Sequence, residues 1–455
     1  MLNKEKSGIA SVKKLLFLLF ITHFSLLIAY AQVSQEWVQR YDGPDKLDDN
    51  AYEIATDKYG NVYVTGMSEW KGTGADYNTI KYNSKGELQW TARYSGPLED
   101  DRPLVLAVDD KDNIYVTGIS DAENGASDFA TIKYSSNGKQ LWIQRYNGKM
   151  NRDDIPECIA IDNNGNVYVT GSCDGTGSFN ADYATVKYDS NGVQQWVTKY
   201  NGSGNSTDKP ESMAIDDYGN VFVTGSGIGS GTGYDIVTIK YDLNGVQQWV
   251  NIYNSQENNA DLAYSLAIDD SGNIYVTGGI TGYKTKLDFA TLKYNLAGEI
   301  LWIRKYDGPA SDVDYARFIT LDAKGNIYIT GYSTGKGSEF DYAAIKYNSN
   351  GDELWSARYN GPGNKNDLVS SLAVDNSGNI YITGQSEGNA TGTDYATIKY
   401  NSDGVQQWVE RYNGPVDDND NASSVAVDNS GNVYVTGNST VNKKFSTDFI
   451  TIKYR

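Results

Sequence analysis

The sequence predicts an all-β fold: an eight-bladed β-propeller of four-stranded antiparallel blades, closed by the N-terminal strand completing the last blade. Three observations carry this. A pattern built from Asp, a turn Asp-x-x-Gly-Asn, Tyr-Val-Thr-Gly, Asp-Tyr-x-Thr-Ile-Lys-Tyr and a Trp segment recurs eight times at a spacing of 52 to 54 residues, the signature of stacked units that share one core. Every apolar run is short, rich in Val, Ile, Thr and Tyr, and bounded by Gly, Asn, Asp or Ser, with no helical period outside the leader. The phase is offset as well, because the first copy begins at its Trp segment (Trp37 to Tyr41) while the last ends at Thr451 to Tyr454. A ring closed by its own first strand explains both ends.

Residues 1–31 read as a signal peptide, in which Lys4, Lys6, Lys13 and Lys14 precede an apolar run from Leu15 to Ile28 that ends in Ala29-Tyr30-Ala31. The run is too short for a membrane span. The expectation is export with cleavage, leaving residues 32–455 as a single propeller domain that is periplasmic, secreted or at the cell surface, with no membrane insertion after cleavage. The leader contains the one histidine, His23. Without it, His-based nucleophilic triads, His metal ligands and His acid–base catalysis are excluded. The formal net charge of −19 becomes more negative when a leader with four lysines and one glutamate is removed. Such a chain repels phosphate backbones, which argues against a nucleic-acid partner.

One repeat shows how a blade is built. The inner strand Leu104 to Asp109 is followed by Asn113 to Gly118, Asp128 to Tyr134 and Leu141 to Tyr146, four β segments too closely spaced for helices. Asp-x-x-Gly-Asn joins the first two strands, as in Asp162 to Asn166, and Asp-Ser-x-Gly joins the last two, as in Asp189 to Gly192. Asp and Asn close Asx turns there, and Gly takes the positive φ. Blades stack through both faces, so large side chains stand on both sides of a strand such as Asp76 to Tyr82. Trp37, Trp90, Trp142, Trp196, Trp249, Trp302, Trp355 and Trp408 are expected to pack outer strands on adjacent blades.

The run Asp394 to Pro415 followed by Ala426 to Gly437 closely resembles the bacterial β-propeller repeat family called SBBP, and the likeness covers essentially all of residues 32–455. The family's name implies seven blades, whereas this chain counts eight. The resemblance implies a secreted propeller and brings no general catalytic motif.

Four constellations are candidates for function. Asp49, Asp101, Asp154, Asp208, Asp261, Asp314, Asp367 and Asp420 each lie eight residues before a turn Asp. They are expected to encircle one mouth of the central channel, either collecting a hard cation such as calcium or capping the N–H groups of their own crossover loops. No other cofactor is expected. A second series, Asp76, Asp128, Asp182, Asp235, Asp288, Asp341, Asp394 and Asp448, opens the third strands, and cross-strand ion pairs follow with Arg93, Arg145, Lys199, Lys305, Arg358 and Arg411, and with Arg40 for Asp448. Cys158 and Cys173 stand where other repeats carry Ser, and a disulfide between them is a hypothesis for an exported chain. The variable loops after Thr-Gly carry Trp70, Phe179, Tyr234, Tyr283, Phe340 and Phe445, which either bind a partner or sugar, or tuck between blades.

The sequence thus points to a monomeric, non-enzymatic binding scaffold for a protein or carbohydrate ligand on the loop-bearing face. A carboxylate-dependent glycan-active enzyme is the first alternative, since two acids suffice for glycoside hydrolysis; a structural metal-binding propeller is the second.

Overall fold

The structure, a computed structural model, describes residues 33–174, 180–282, 286–389, 391–441 and 446–455. Residues 1–31, read above as a signal peptide, lie outside the described residues, as do Phe179, Tyr283 and Phe445. The propeller spans Gln35–Arg455 and holds thirty-two strands in eight four-stranded antiparallel sheets. Among the described residues no helix is long and apolar enough to cross a membrane.

A typical sheet runs β6 (Asp101–Val108), β7 (Ile114–Asp121), β8 (Ser127–Tyr134) and β9 (Gln140–Tyr146) from inner to outer edge. The second strand is buried over most of its length, from Ile114 to Gly118 without a break, because both faces stack on neighbours. The last sheet follows the order β1-β32-β31-β30, in which β1 (Gln35–Tyr41) pairs with β32 (Thr447–Tyr454) from Gln35 opposite Tyr454 to Tyr41 opposite Phe449. The closure read from the phase of the repeats is therefore present, and it leaves no unpaired edge between the chain's two ends.

The repeated Trp residues join successive blades. Trp90 lies 6.2 Å from Tyr63 of its own sheet and 6.4 Å from Tyr134 of the next, and its indole N–H donates to the Ser136 carbonyl at 3.1 Å. Gly138 has φ +81°, and a Cβ there would meet the Trp90 ring at 2.7 Å, so this turn needs glycine both for its dihedral and for its closeness to the indole. Trp37 makes the same contacts across the closure, with Tyr434 at 6.0 Å and Tyr82 at 6.3 Å. Each aromatic pair adds about 0.5–1.5 kcal/mol beyond area burial.

On the opposite end from the variable loops, the turn Asp residues close their Asx turns as the sequence suggests. Asp57 accepts from Tyr59 N at 2.9 Å and Asn61 N at 3.0 Å, and the Tyr63 hydroxyl donates to it at 3.0 Å. Each inner strand carries a β-bulge at mid-length, such as the register shift between Ala51 and Glu53. A bulge turns an extra residue out of the ladder. The inner strands touch one another in sequence around the ring, with β30 (Asp420–Val427) touching β2 (Asp49–Thr56), so the bulges collect at the inner surface.

Candidate functional site

The eight inner-strand Asp residues are all 0% exposed, so they do not line an open channel mouth. Each carboxylate is turned into the crossover that precedes its own strand. Gly43 N donates to Asp49 at 2.6 Å, and Gly202, Gly308, Gly361 and Gly414 donate to Asp208, Asp314, Asp367 and Asp420 at the same distance. Gly148 and Ser255 donate to Asp154 and Asp261 at 2.5 Å, and Gly96 donates to Asp101. Burial raises the carboxyl pKa of all eight, to about 6 for Asp49, Asp154 and Asp208. Among the described residues, only Asp49, Asp154 and Asp314 belong to groups of three acids or thiols close enough to share an ion.

The second Asp series forms the expected ion pairs in five blades. Arg145–Asp128 lies at 3.1 Å, Arg358–Asp341 at 2.8 Å, Arg411–Asp394 at 2.6 Å and Arg40–Asp448 at 3.5 Å, while Arg93 pairs with Asp76. The pairs are diagonal rather than directly opposite, since Arg145 faces Ala130 in the ladder and reaches back two residues. In three blades the guanidinium does more than neutralise. Arg358 also donates to Ser333 Oγ at 2.6 Å and to the Tyr306 hydroxyl of the preceding blade at 3.4 Å; Arg145 and Arg411 make the equivalent contacts. Lys199 departs from the expectation, because its ammonium pairs with Asp174 at 3.1 Å instead of Asp182. Asp174 ends the second strand of that blade, two strands from the one that carries Lys199.

Cys158 and Cys173 are free thiols, which corrects the disulfide expectation. The ladder explains it. Cys158 faces Thr170 and Ile155 faces Ser172, so the two sulfurs sit several positions apart along the pair. At about 3.3 Å per residue that exceeds the reach of a bridge. They also occupy different cores: Cys173 packs with Phe129 and Tyr146, and Cys158 with Tyr168 and Met213.

Of the loop aromatics within the described residues, none stands free. Trp70 is half-buried under Arg93, whose guanidinium lies 4.3 Å from the ring centre. Phe340 is half-buried, 5.1 Å from Tyr332 and 6.3 Å from Tyr315, and Tyr234 is half-buried opposite Ile228.

The bulge positions hold what the sequence reading missed. In place of one repeated residue they carry Tyr52-Glu53, Leu104-Val105, Glu157-Cys158, Glu211-Ser212, Tyr264-Ser265, Arg317-Phe318, Ser370-Ser371 and Ser423-Ser424. Across the third to sixth blades, side chains at and beside these positions form two clusters, one charged and one aromatic with an Arg. Lys209 bridges Glu157 at 3.2 Å and Glu211 at 3.0 Å. Arg317 stacks 4.3 Å from the centre of the Tyr264 ring, Tyr264 lies 6.3 Å from Tyr315, and Tyr315 lies 5.2 Å from Tyr332. Burial pushes the Tyr264 hydroxyl up to about 12 and raises Glu157. Burial also opposes the charge on Lys209, but its two carboxylates more than offset this and hold its pKa above the ordinary value. On the other side of the ring Glu53 is the one acid at its bulge position; it accepts from Ser424 Oγ at 2.6 Å, and burial pushes its carboxyl up to about 7. The signal was available in the sequence as variable columns of the inner strand, at the bulge and at the residue after its first Asp.

A β-propeller repeat model, SBBP, matches residues 36–69, 142–179, 195–231, 303–337, 354–389 and 407–442. An uncharacterized WD repeat-containing protein of Acanthamoeba polyphaga mimivirus is 26% identical over 237 residues, covering 41% of this chain and 17% of that protein. Among solved structures, the WD40 domain of SCAP from fission yeast gives a TM-score of 0.48 at 8% identity over 93% of this chain and 97% of that one. An ulvan lyase gives 0.41 at 14% identity over 91% and 95%. A Dyadobacter fermentans protein of unknown function gives 0.41 at 9% identity over 93% and 99%. The six repeat matches fall within the eight antiparallel sheets that the chain forms, and the protein belongs to the SBBP β-propeller repeat family.

Proposed function

We propose that this propeller is an exported, non-enzymatic binding scaffold that holds a carbohydrate or protein ligand on the inner surface of its loop-bearing end. The observation that carries the reading is the pair of neighbouring clusters, Glu157 with Lys209 and Glu211, and Tyr264 with Arg317 and Tyr315, at positions where the repeats differ. Tyrosine faces beside charged hydrogen-bonding groups suit the alternating apolar and hydroxyl faces of a sugar, and equally an aromatic or basic anchor on a protein. The leader at residues 1–31 supports export, and the acidic surface disfavours nucleic acid.

The test uses the protein without its leader on a glycan array and in pull-downs from envelope extracts. Tyr264→Ala and Arg317→Ala should each weaken retention about tenfold or more, as loss of a buried aromatic or Arg anchor does, while Trp70→Ala leaves it unchanged. Retention insensitive to both inner-strand variants would refute this surface. Turnover of a glycan abolished by Glu211→Gln would replace the scaffold reading with an enzymatic one.

A further inference from the structure

We propose that Arg317 receives the negative charge of an acidic sugar, a uronate carboxylate or a sulfate ester, at the inner surface of the ring. The inference rests on the ligand-binding reading above and narrows its ligand from a protein or carbohydrate to an anionic glycan.

The inner strands carry three cationic side chains, Arg102, Lys209 and Arg317. Two are neutralised within the protein, Arg102 by Asp100 at 3.5 Å and Lys209 by Glu157 and Glu211 at 3.2 and 3.0 Å. Arg317 is not. Among the described residues its guanidinium has neither an ion pair nor a hydrogen bond, and it stacks 4.3 Å from the centre of the Tyr264 ring. Acids outnumber cations in this chain of net charge −19, yet the side chains grouped with this half-buried cation are aromatic. A guanidinium partly withdrawn from water without a counter-charge is unfavourable until an anion joins it.

The same place holds further unspent hydrogen-bonding groups. Tyr264, Tyr315 and Tyr332 are half-buried, and among the described residues none of their hydroxyls is bonded to a protein group or sealed from solvent. Other tyrosines of the ring differ: the hydroxyls of Tyr63, Tyr275 and Tyr328 donate to turn Asp residues at 3.0, 2.9 and 3.0 Å. The rings are contiguous, with Tyr315 6.3 Å from Tyr264 and 5.2 Å from Tyr332, and Phe340 5.1 Å from Tyr332. Burial raises the pKa of the Tyr264 and Tyr332 hydroxyls, and the Arg317 charge opposes the rise at both, so both lie within its field.

This set of groups selects among ligands. A basic anchor is disfavoured, because the site already carries a positive charge with no acid to match it. A neutral sugar would suit the rings and leave the guanidinium unpaired. An acidic sugar meets all three features: its apolar face lies on aromatic carbon, its hydroxyls reach the tyrosine hydroxyls, and its charged group accepts two parallel N–H bonds from the planar guanidinium. An acidic peptide supplies the charge without the ring of hydroxyls.

The experiment places the full chain on an array of uronate-containing, sulfated and neutral glycans. Each acidic member is also printed with its carboxyl reduced to an alcohol or its sulfate removed, and poly-glutamate is included. The expected result is retention of an acidic set, at least about tenfold stronger than of its neutralised counterpart, as loss of a charged hydrogen-bond partner gives. Whether the uronate or the sulfated set is retained identifies the anion. Arg317→Gln should abolish the difference between each acidic glycan and its counterpart, and Arg317→Lys should keep part of it, since an ammonium attracts but does not make the bidentate pair. The urea midpoint of Arg317→Gln should equal the parent's, because no partner within the protein is lost. Equal retention of acidic and neutralised glycans, with Tyr264→Ala weakening both, would overturn the anion assignment and leave the ligand-binding reading standing. Acidic retention that survives Arg317→Gln would also overturn it, as would retention of no glycan, or of poly-glutamate as strongly as of the glycans. Loss of the ligand-binding reading itself shows separately, as retention insensitive to both Tyr264→Ala and Arg317→Ala.

Discussion

Replacing Glu53 by Gln should make the protein more stable above neutral pH, with a much smaller gain at pH 5. Glu53 is half-buried at the inner surface of the ring, with a hydrogen bond from Ser424 at 2.6 Å and a weaker one from Ile54 N at 3.4 Å as compensation for lost water. Burial raises its carboxyl from 4.5 to about 7. The folded state therefore holds its proton more tightly than the unfolded chain does, and this contribution is complete below pH about 4.5 and is lost as pH rises through about 7. A shift of that size corresponds to roughly 3 kcal/mol at high pH. Solvent reaching the carboxylate reduces this to about 1–2 kcal/mol. Gln keeps the size and the acceptor oxygen but cannot ionise, so it removes the penalty. The assay is urea unfolding followed by Trp fluorescence at pH 5 and pH 8 for both proteins. A variant whose midpoint equals the parent's at pH 8, or falls below it, would show that Glu53 is not held neutral by the ring.

Asp367→Ala removes the acceptor for the buried Gly361 N at 2.6 Å, and should cost about 1–3 kcal/mol in the same urea assay; Asp367→Asn should cost less because the amide oxygen can still accept. Thiol titration of denatured protein without reductant should count two sulfurs per chain. In the native state alkylation should be slow, since burial pushes Cys158 up to about 11 and Cys173 up to about 12.

The architecture was legible because the sequence states it eight times. Gly at the turn, Trp in the outer strand and Tyr in the second strand are each needed by the blade beside them, so a periodic sequence carries the packing with it. The closure was legible for the same reason, as a repeat cut out of phase. What the repeats could not show was the direction of a side chain. Asp49 and its seven counterparts fall at the loop end of the inner strands as expected, but a repeated letter does not say that the carboxylate turns into its own crossover. The clusters around Lys209 and Tyr264 were not legible because variable positions inside a strand do not say which neighbouring blade their side chains meet. The register of Cys158 against Thr170 was likewise out of reach, since the bulge that displaces it leaves no mark in the sequence.

The sheet made from both ends of the propeller acts as a clasp. During synthesis β1 must wait, with both edges unpaired, until β32 has been made and can receive it. Once fastened, the ring cannot open at its natural ends without breaking backbone hydrogen bonds, whereas a ring whose ends met between two blades would be held there by side chains alone. A chain rejoined from Tyr454 to Gln35 and cut at the crossover 95–100 would have the same blades and a weaker fastening, so the offset of the repeats contributes to how long the folded ring persists as well as to its shape.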